Sequence, residues 1–71
     1  MIEEKRYITM LIGLLRDGRT SEERAAAARG LGFTGSEEAV EALSLTIANG
    51  RTAEERAAAA ESLGQALANR R

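Results

Sequence analysis

The chain has no cysteine, histidine, proline or tryptophan, and its only aromatic residues are Tyr7 and Phe33. Without cysteine there is no disulfide framework and no thiolate nucleophile, and the redox compartment stays open. Without histidine the usual base for activating a serine or threonine is missing, and the absence of both removes the side chains that build most zinc sites. An excess of one charge sign is also lacking: 10 Lys+Arg face 11 Asp+Glu, a net of −1. That balance gives no electrostatic case for nucleic acid or an anionic membrane. The longest apolar stretch, residues 7–15, is interrupted only by Thr9 and Gly13 and falls well short of the roughly 20 residues a membrane span needs. Lys5 and Arg6 precede it as in a secretory signal, but Glu3 and Glu4 stand before them, and Arg16 and Asp17 replace a small-residue cleavage site. With no targeting signal read, the default expectation is a cytoplasmic protein.

What is present is alanine and charge. Ala supplies 14 of the 31 hydrophobic residues, while Leu, Ile, Val and Phe together make 14 of 71, so the expected core is thin and closely packed. Ordering a small domain costs about 1.5 kcal/mol per residue, and short chains usually need a staple to offset it. With disulfides and histidine–cysteine metal sites gone, regular helix packing and self-association remain.

The sequence repeats at an offset of 32 residues. GRTSEERAAAARGLG at 18–32 aligns with GRTAEERAAAAESLG at 50–64, identical at 12 of 15 positions. The same offset pairs Ile8 with Val40, Leu11 with Leu43 and Leu15 with Ile47, which marks all six as core positions. The period reads as two copies of one helical hairpin.

Capping chemistry places the helix ends. Thr20 with Glu23, and Thr52 with Glu55, have capping-box spacing, the hydroxyl accepting an orphan N–H and the Glu reaching back. Ser36 before Glu37 and Glu38 starts another helix. Glycines read as stops: Gly18 and Gly50 after the first helix of each hairpin, Gly30 and Gly32 after the second, with Gly64 the repeat of Gly32. Four helices are expected near 2–17, 20–31, 36–49 and 52–69, in one domain over 1–71 with repeats at about 2–32 and 36–69. Paired glutamates open the helices and arginines close several, each complementing the helix dipole. The Ala-rich second and fourth helices are expected to form the inner layer.

The pattern Arg24-x-x-Ala27-Ala28-x-x-Leu31-Gly32-x-x-Gly35-x-x-x-Ala39-Val40-x-x-Leu43, begun again at Arg56-x-x-Ala59-Ala60-x-x-Leu63-Gly64, resembles the short HEAT-type repeat of phycobilisome-lyase-like proteins and of artificial HEAT-like repeat proteins. The resemblance spans roughly residues 16–68. It implies an all-α fold of two stacked hairpins, a short α-solenoid. It also implies that Arg24 and Arg56 reach a carboxylate or a helix-end carbonyl of an adjacent repeat. Glu23 and Glu55 depart from the family, standing where an aliphatic residue usually precedes the Arg. So do Thr34, at another aliphatic position, and Gly30 and Ser62, which replace an Ala.

Apparent chemical motifs have plainer explanations. Gly30, Gly32 and Gly35 form a literal G-x-G-x-x-G, but the motif follows an Ala-rich helix rather than a strand, and no acid stands about 20 residues on. Neighbouring glutamates on a helix point about 100° apart, so the pairs do not converge on a scissile bond or an ion. No catalytic, metal-binding or cofactor-binding residue is identified, and no cofactor is expected. A chromophore-lyase activity would rest on fold analogy alone.

The first helix stands out. Ile8, Leu11, Ile12 and Leu15 form one apolar stripe, and Tyr7, Met10 and Leu14 form a second, whose repeat counterparts are the smaller Ala39, Ala42 and Thr46. In a two-hairpin stack this helix has neighbours on one side only, so the second stripe is the candidate interface. Repeat proteins usually need about three stacked units. The expectation is therefore a non-enzymatic scaffold that self-associates through Tyr7, Met10 and Leu14 as a homo-oligomer, a two-fold dimer first of all, with no nucleic-acid or membrane partner. The alternative is a small adaptor that binds a peptide or protein on its helical face. Agreement of caps, charges and composition also suggests an engineered sequence, against which stand Gly13, Thr34 and the run Ser44 to Thr46.

Overall fold

Four α-helices follow one another in the computed structural model, which describes residues 3–70: α1 (Glu4–Asp17), α2 (Ser21–Gly32), α3 (Glu37–Asn49) and α4 (Ala53–Ala68). Among the described residues there is no strand, and the fold is all-α. The expected start of the first helix at residue 2 lies outside the described residues. Thr20, Ser36 and Thr52 each sit at an N-cap with extended backbone, and each accepts the N–H of the residue three positions on.

The helices pair as hairpins, α1 with α2 and α3 with α4, and the two hairpins stack chiefly through α2 against α4, while α1 and α3 barely meet. Alanine makes this possible. Ala25, Ala28 and Ala59 are fully buried, and their short side chains let the Ala-rich helices approach closely. Leu31 and Leu43 are the largest fully buried side chains, each contributing roughly 1.5–3 kcal/mol of burial. Ile8 and Leu15 cover the core from α1.

Three expectations need correction. Gly30 and Gly32 do not follow the helix as stops: both lie within α2, Gly32 as its last residue, and the C-cap is Phe33. Gly64 likewise lies inside α4. The reason for Gly32 is tertiary, since a Cβ there would lie 3.0 Å from the Ser62 Cβ and 3.1 Å from the Ser62 backbone. The turn belongs instead to Gly35, whose φ of +67° is the left-handed conformation glycine tolerates. Finally Ile47, expected in the core, is 37% exposed, whereas its counterpart Leu15 is buried at 2%. Leu15 has the second hairpin stacked beside it, and among the described residues no hairpin packs on Ile47 in the same way.

Candidate protein-protein interface

The joint between the two hairpins shows how this chain makes an interface. Arg24 on α2 donates from Nε to Glu55 Oε1 on α4 at 2.8 Å, with both side chains buried. Its Nη1 donates to the Gly18 carbonyl at 2.7 Å, closing the loop of its own hairpin. Burial by itself pushes the Glu55 carboxyl up. The Arg24 hydrogen bond, the Arg51 backbone N–H, the Arg24 charge and the Thr52 hydroxyl together outweigh it and hold the carboxyl below its ordinary value. Further bonds cross the joint. Arg51 Nη2 donates to the Arg16 carbonyl at 2.7 Å, and Ser21 Oγ donates to Glu54 Oε1 at 2.9 Å. Asn69 ties the end of α4 back to the Gly32 carbonyl at 3.2 Å.

The two capping sites differ. At α2 the box closes: Thr20 Oγ1 accepts from the Glu23 N–H, and Glu23 Oε1 accepts from the Thr20 and Arg19 N–H groups. At α4 the Thr52 hydroxyl accepts from the Glu55 N–H and also donates to Glu55 Oε1 at 3.3 Å, but the carboxylate is drawn to Arg24 instead of returning to the Thr52 N–H. Glu55 is thus the carboxylate of a buried ion pair as well as an N-terminal residue, a role local spacing does not disclose. Its one signal was the departure from an aliphatic residue at that position. Ser36 Oγ accepts from the Ala39 N–H at 3.1 Å.

The repeat counterparts of the ion pair are separated. Arg56 donates to the Gly50 carbonyl at 2.9 Å, as Arg24 does to Gly18, but it is exposed, and Arg24–Glu55 is the one salt bridge among the described residues. Glu23 is exposed at the opposite end of the stack.

Tyr7, Met10 and Leu14 lie together on the open side of α1 and are 50%, 62% and 40% exposed. The Arg6 guanidinium lies 5.9 Å from the Tyr7 ring centroid and leaves most of the stripe uncovered. Sequence reasoning did not find the groove between the splayed α1 and α3. It encloses about 560 Å³, with Ile12, Leu15 and Arg16 on one wall and Glu38, Glu41 and Leu45 on the other. Among the described residues no cluster of three His, Cys, Asp or Glu could hold a metal ion, and no helix is long and apolar enough to cross a membrane.

Neither a curated protein nor a solved structure matches the chain. Residues 23–44, from the Glu that closes the first capping box through the Gly35 turn to the middle of α3, match the PBS lyase HEAT-like repeat, so the chain carries a short HEAT-type helical repeat.

Proposed function

We propose that the protein is a non-enzymatic scaffold whose activity is contact, and that its first partner is another copy of itself, engaged through the Tyr7, Met10 and Leu14 end of the stack. The observation that carries this is the contrast between repeats. Ala39 is buried and Ala42 and Thr46 are half-buried, while the larger apolar residues at the same positions of α1 stand open to solvent. An apolar patch of that kind on a small domain is a contact surface. A two-hairpin stack also buries little core, and association supplies what a third repeat would. A dimer is the smallest product. An engineered origin, which the agreement of caps and charges suggests, fits this reading, since contact is then the whole activity.

Absolute mass by light scattering across a dilution series tests it. The expected result is a mass above the 7.6 kDa of one chain that falls on dilution, with Leu14→Glu monomeric and Glu37→Gln unchanged. Glu37 and its counterpart Lys5 are exposed in both repeats, and neither lines a crevice between the hairpins. A folded monomer at every concentration removes the reading.

The groove between α1 and α3 favours a second reading. Its apolar lining of Ile12, Leu15 and Leu45, with basic Arg16 on one wall and acidic Glu38 and Glu41 on the other, suits a short amphipathic peptide. That adaptor reading takes precedence if self-association fails.

A further inference from the structure

We propose that copies of this chain stack head to tail, the outer face of the second hairpin of one copy seating on the outer face of the first hairpin of the next, in the register that joins the two hairpins within the chain. The proposal rests on the self-association reading above and gives it a geometry.

Burial differences between equivalent positions map both outer faces. Arg24, Ala25, Ala28 and Gly32 are buried because the second hairpin covers them, and their counterparts Arg56, Ala57, Ala60 and Gly64 are exposed on the far side of α4. Conversely Glu55, Ala58 and Ala39 are buried because the first hairpin covers them, and their counterparts Glu23, Ala26 and Tyr7 are exposed on the near side of α1 and α2. The molecule therefore carries both halves of its own internal joint as free surfaces, at opposite ends.

The polar chemistry of the joint repeats with them. Arg56 is fixed by the Gly50 carbonyl as Arg24 is by Gly18, and its Nε has no partner among the described residues. The carboxylate it would meet is Glu23 of the next copy. Glu23 Oε1 accepts the Arg19 and Thr20 backbone N–H groups, which leaves Oε2 without a partner among the described residues for an incoming guanidinium. The bond from Arg51 to the Arg16 carbonyl also has its copy, Arg19 of the next chain to the Ala48 carbonyl of the first. The bond from Ser21 to Glu54 has none, because Ala53 stands at the counterpart of Ser21.

Side-chain sizes compensate across the same boundary. Inside the chain, Ile12, Leu15 and Arg16 of α1 face Ala42, Leu45 and Thr46 of α3 across the groove. At the junction between copies the large and small sides exchange. Ser44, Ile47 and Ala48, mostly smaller, replace the first set, and Met10, Gly13 and Leu14 replace the second, two of the three larger. A two-fold pairing of the Tyr7 face with itself would instead bring Glu23 toward Glu23 and leave Arg56 without a carboxylate. A head-to-tail contact uses two different surfaces and repeats indefinitely unless its rotation closes a ring, so the product is an open chain of copies.

Blocking one face at a time tests this by light scattering, with circular dichroism to check that each variant stays helical; both substituted positions are exposed. Ala60→Glu blocks the far face and Met10→Glu the near face. The expected result is wild-type mass that keeps rising with concentration, each variant monomeric alone, and a 1:1 mixture of the two giving a species of twice 7.6 kDa that grows no further. If Ala60→Glu assembles like wild type while Met10→Glu is monomeric, the near face pairs with itself: the head-to-tail register is overturned and self-association stands. Wild type that stays monomeric overturns both.

Discussion

Arg24 and Glu55 meet across the two hairpins, Nε to Oε1 at 2.8 Å and both buried, while Arg56 and Glu23, the same residues one repeat along and one repeat back, stand exposed at opposite ends of the molecule. The two arginines make the same bond to a loop carbonyl, Gly18 in one case and Gly50 in the other. What differs is the neighbouring hairpin. The repeat thus supplies an internal control in which one constellation is seen with and without its stacking partner.

Replacing each arginine by methionine isolates the ion pair. Both variants lose the carbonyl bond, but only Arg24→Met leaves a carboxylate buried without its cation, which costs about 3–5 kcal/mol. A domain of this size has in all about 5 kcal/mol of stability, so Arg24→Met is expected to be largely unfolded. Arg56→Met, at the surface, should lose about 1 kcal/mol or less. The double variant Arg24→Met, Glu55→Leu should regain much of the loss, because an apolar pair needs no desolvation of charge. Urea denaturation at concentrations where the chain is monomeric reads all three, and equal midpoints for the two single variants would contradict the account.

Acid should loosen the same joint. The Glu55 carboxyl is held below its ordinary value of 4.5 in the folded chain, so its contribution is complete above that value and is lost as pH falls through the lower folded-state value. Thermal midpoints measured from pH 7 to pH 3 should therefore fall below about pH 4.5 for the protein, and fall less for Glu55→Gln, which starts lower but has no charge to lose there. Parallel curves for the two would show that Glu55 does not carry the acid sensitivity.

What could be read from the chain follows the range of each interaction. The hydroxyls of Thr20, Ser36 and Thr52 act on N–H groups three residues away, a distance over which sequence and structure run together. The two hairpins were visible because 12 of 15 positions recur, and the exposed stripe because Tyr7, Met10 and Leu14 are larger than the residues that should match them. Most of the failures involve the neighbouring hairpin. Gly32 looked like a helix stop, yet it is glycine because Ser62, thirty residues on, lies against it. Ile47 looked like core because Leu15 is, but the second hairpin that covers Leu15 has no equivalent over Ile47 among the described residues. Glu55 looked like a cap, and its carboxylate went to an arginine 31 residues away. The groove between α1 and α3 depends on how far the hairpins splay, which no local pattern records.

Gly32 and Gly64 give the sharpest separation of folding from assembly. A Cβ at residue 32 would come within 3.0–3.1 Å of Ser62, side chain and backbone, so Gly32→Ala must push α2 and α4 apart and should destabilise the chain. A Cβ at residue 64 would meet nothing within 4 Å, and Gly64 lies inside α4. Replacing a glycine in an exposed helix interior by alanine is worth roughly 0.5–1 kcal/mol, because the unfolded chain loses freedom and the helix gains propensity. Gly64→Ala should accordingly raise the monomer's urea midpoint. In the head-to-tail register the same residue is the seat for a neighbouring copy, as Gly32 is for Ser62, so the added methyl should shift association to higher concentration even as it stabilises the fold. Opposite signs in the two measurements would tie the α4 surface to assembly. A variant that is more stable and associates as readily as wild type would place the contact between copies elsewhere.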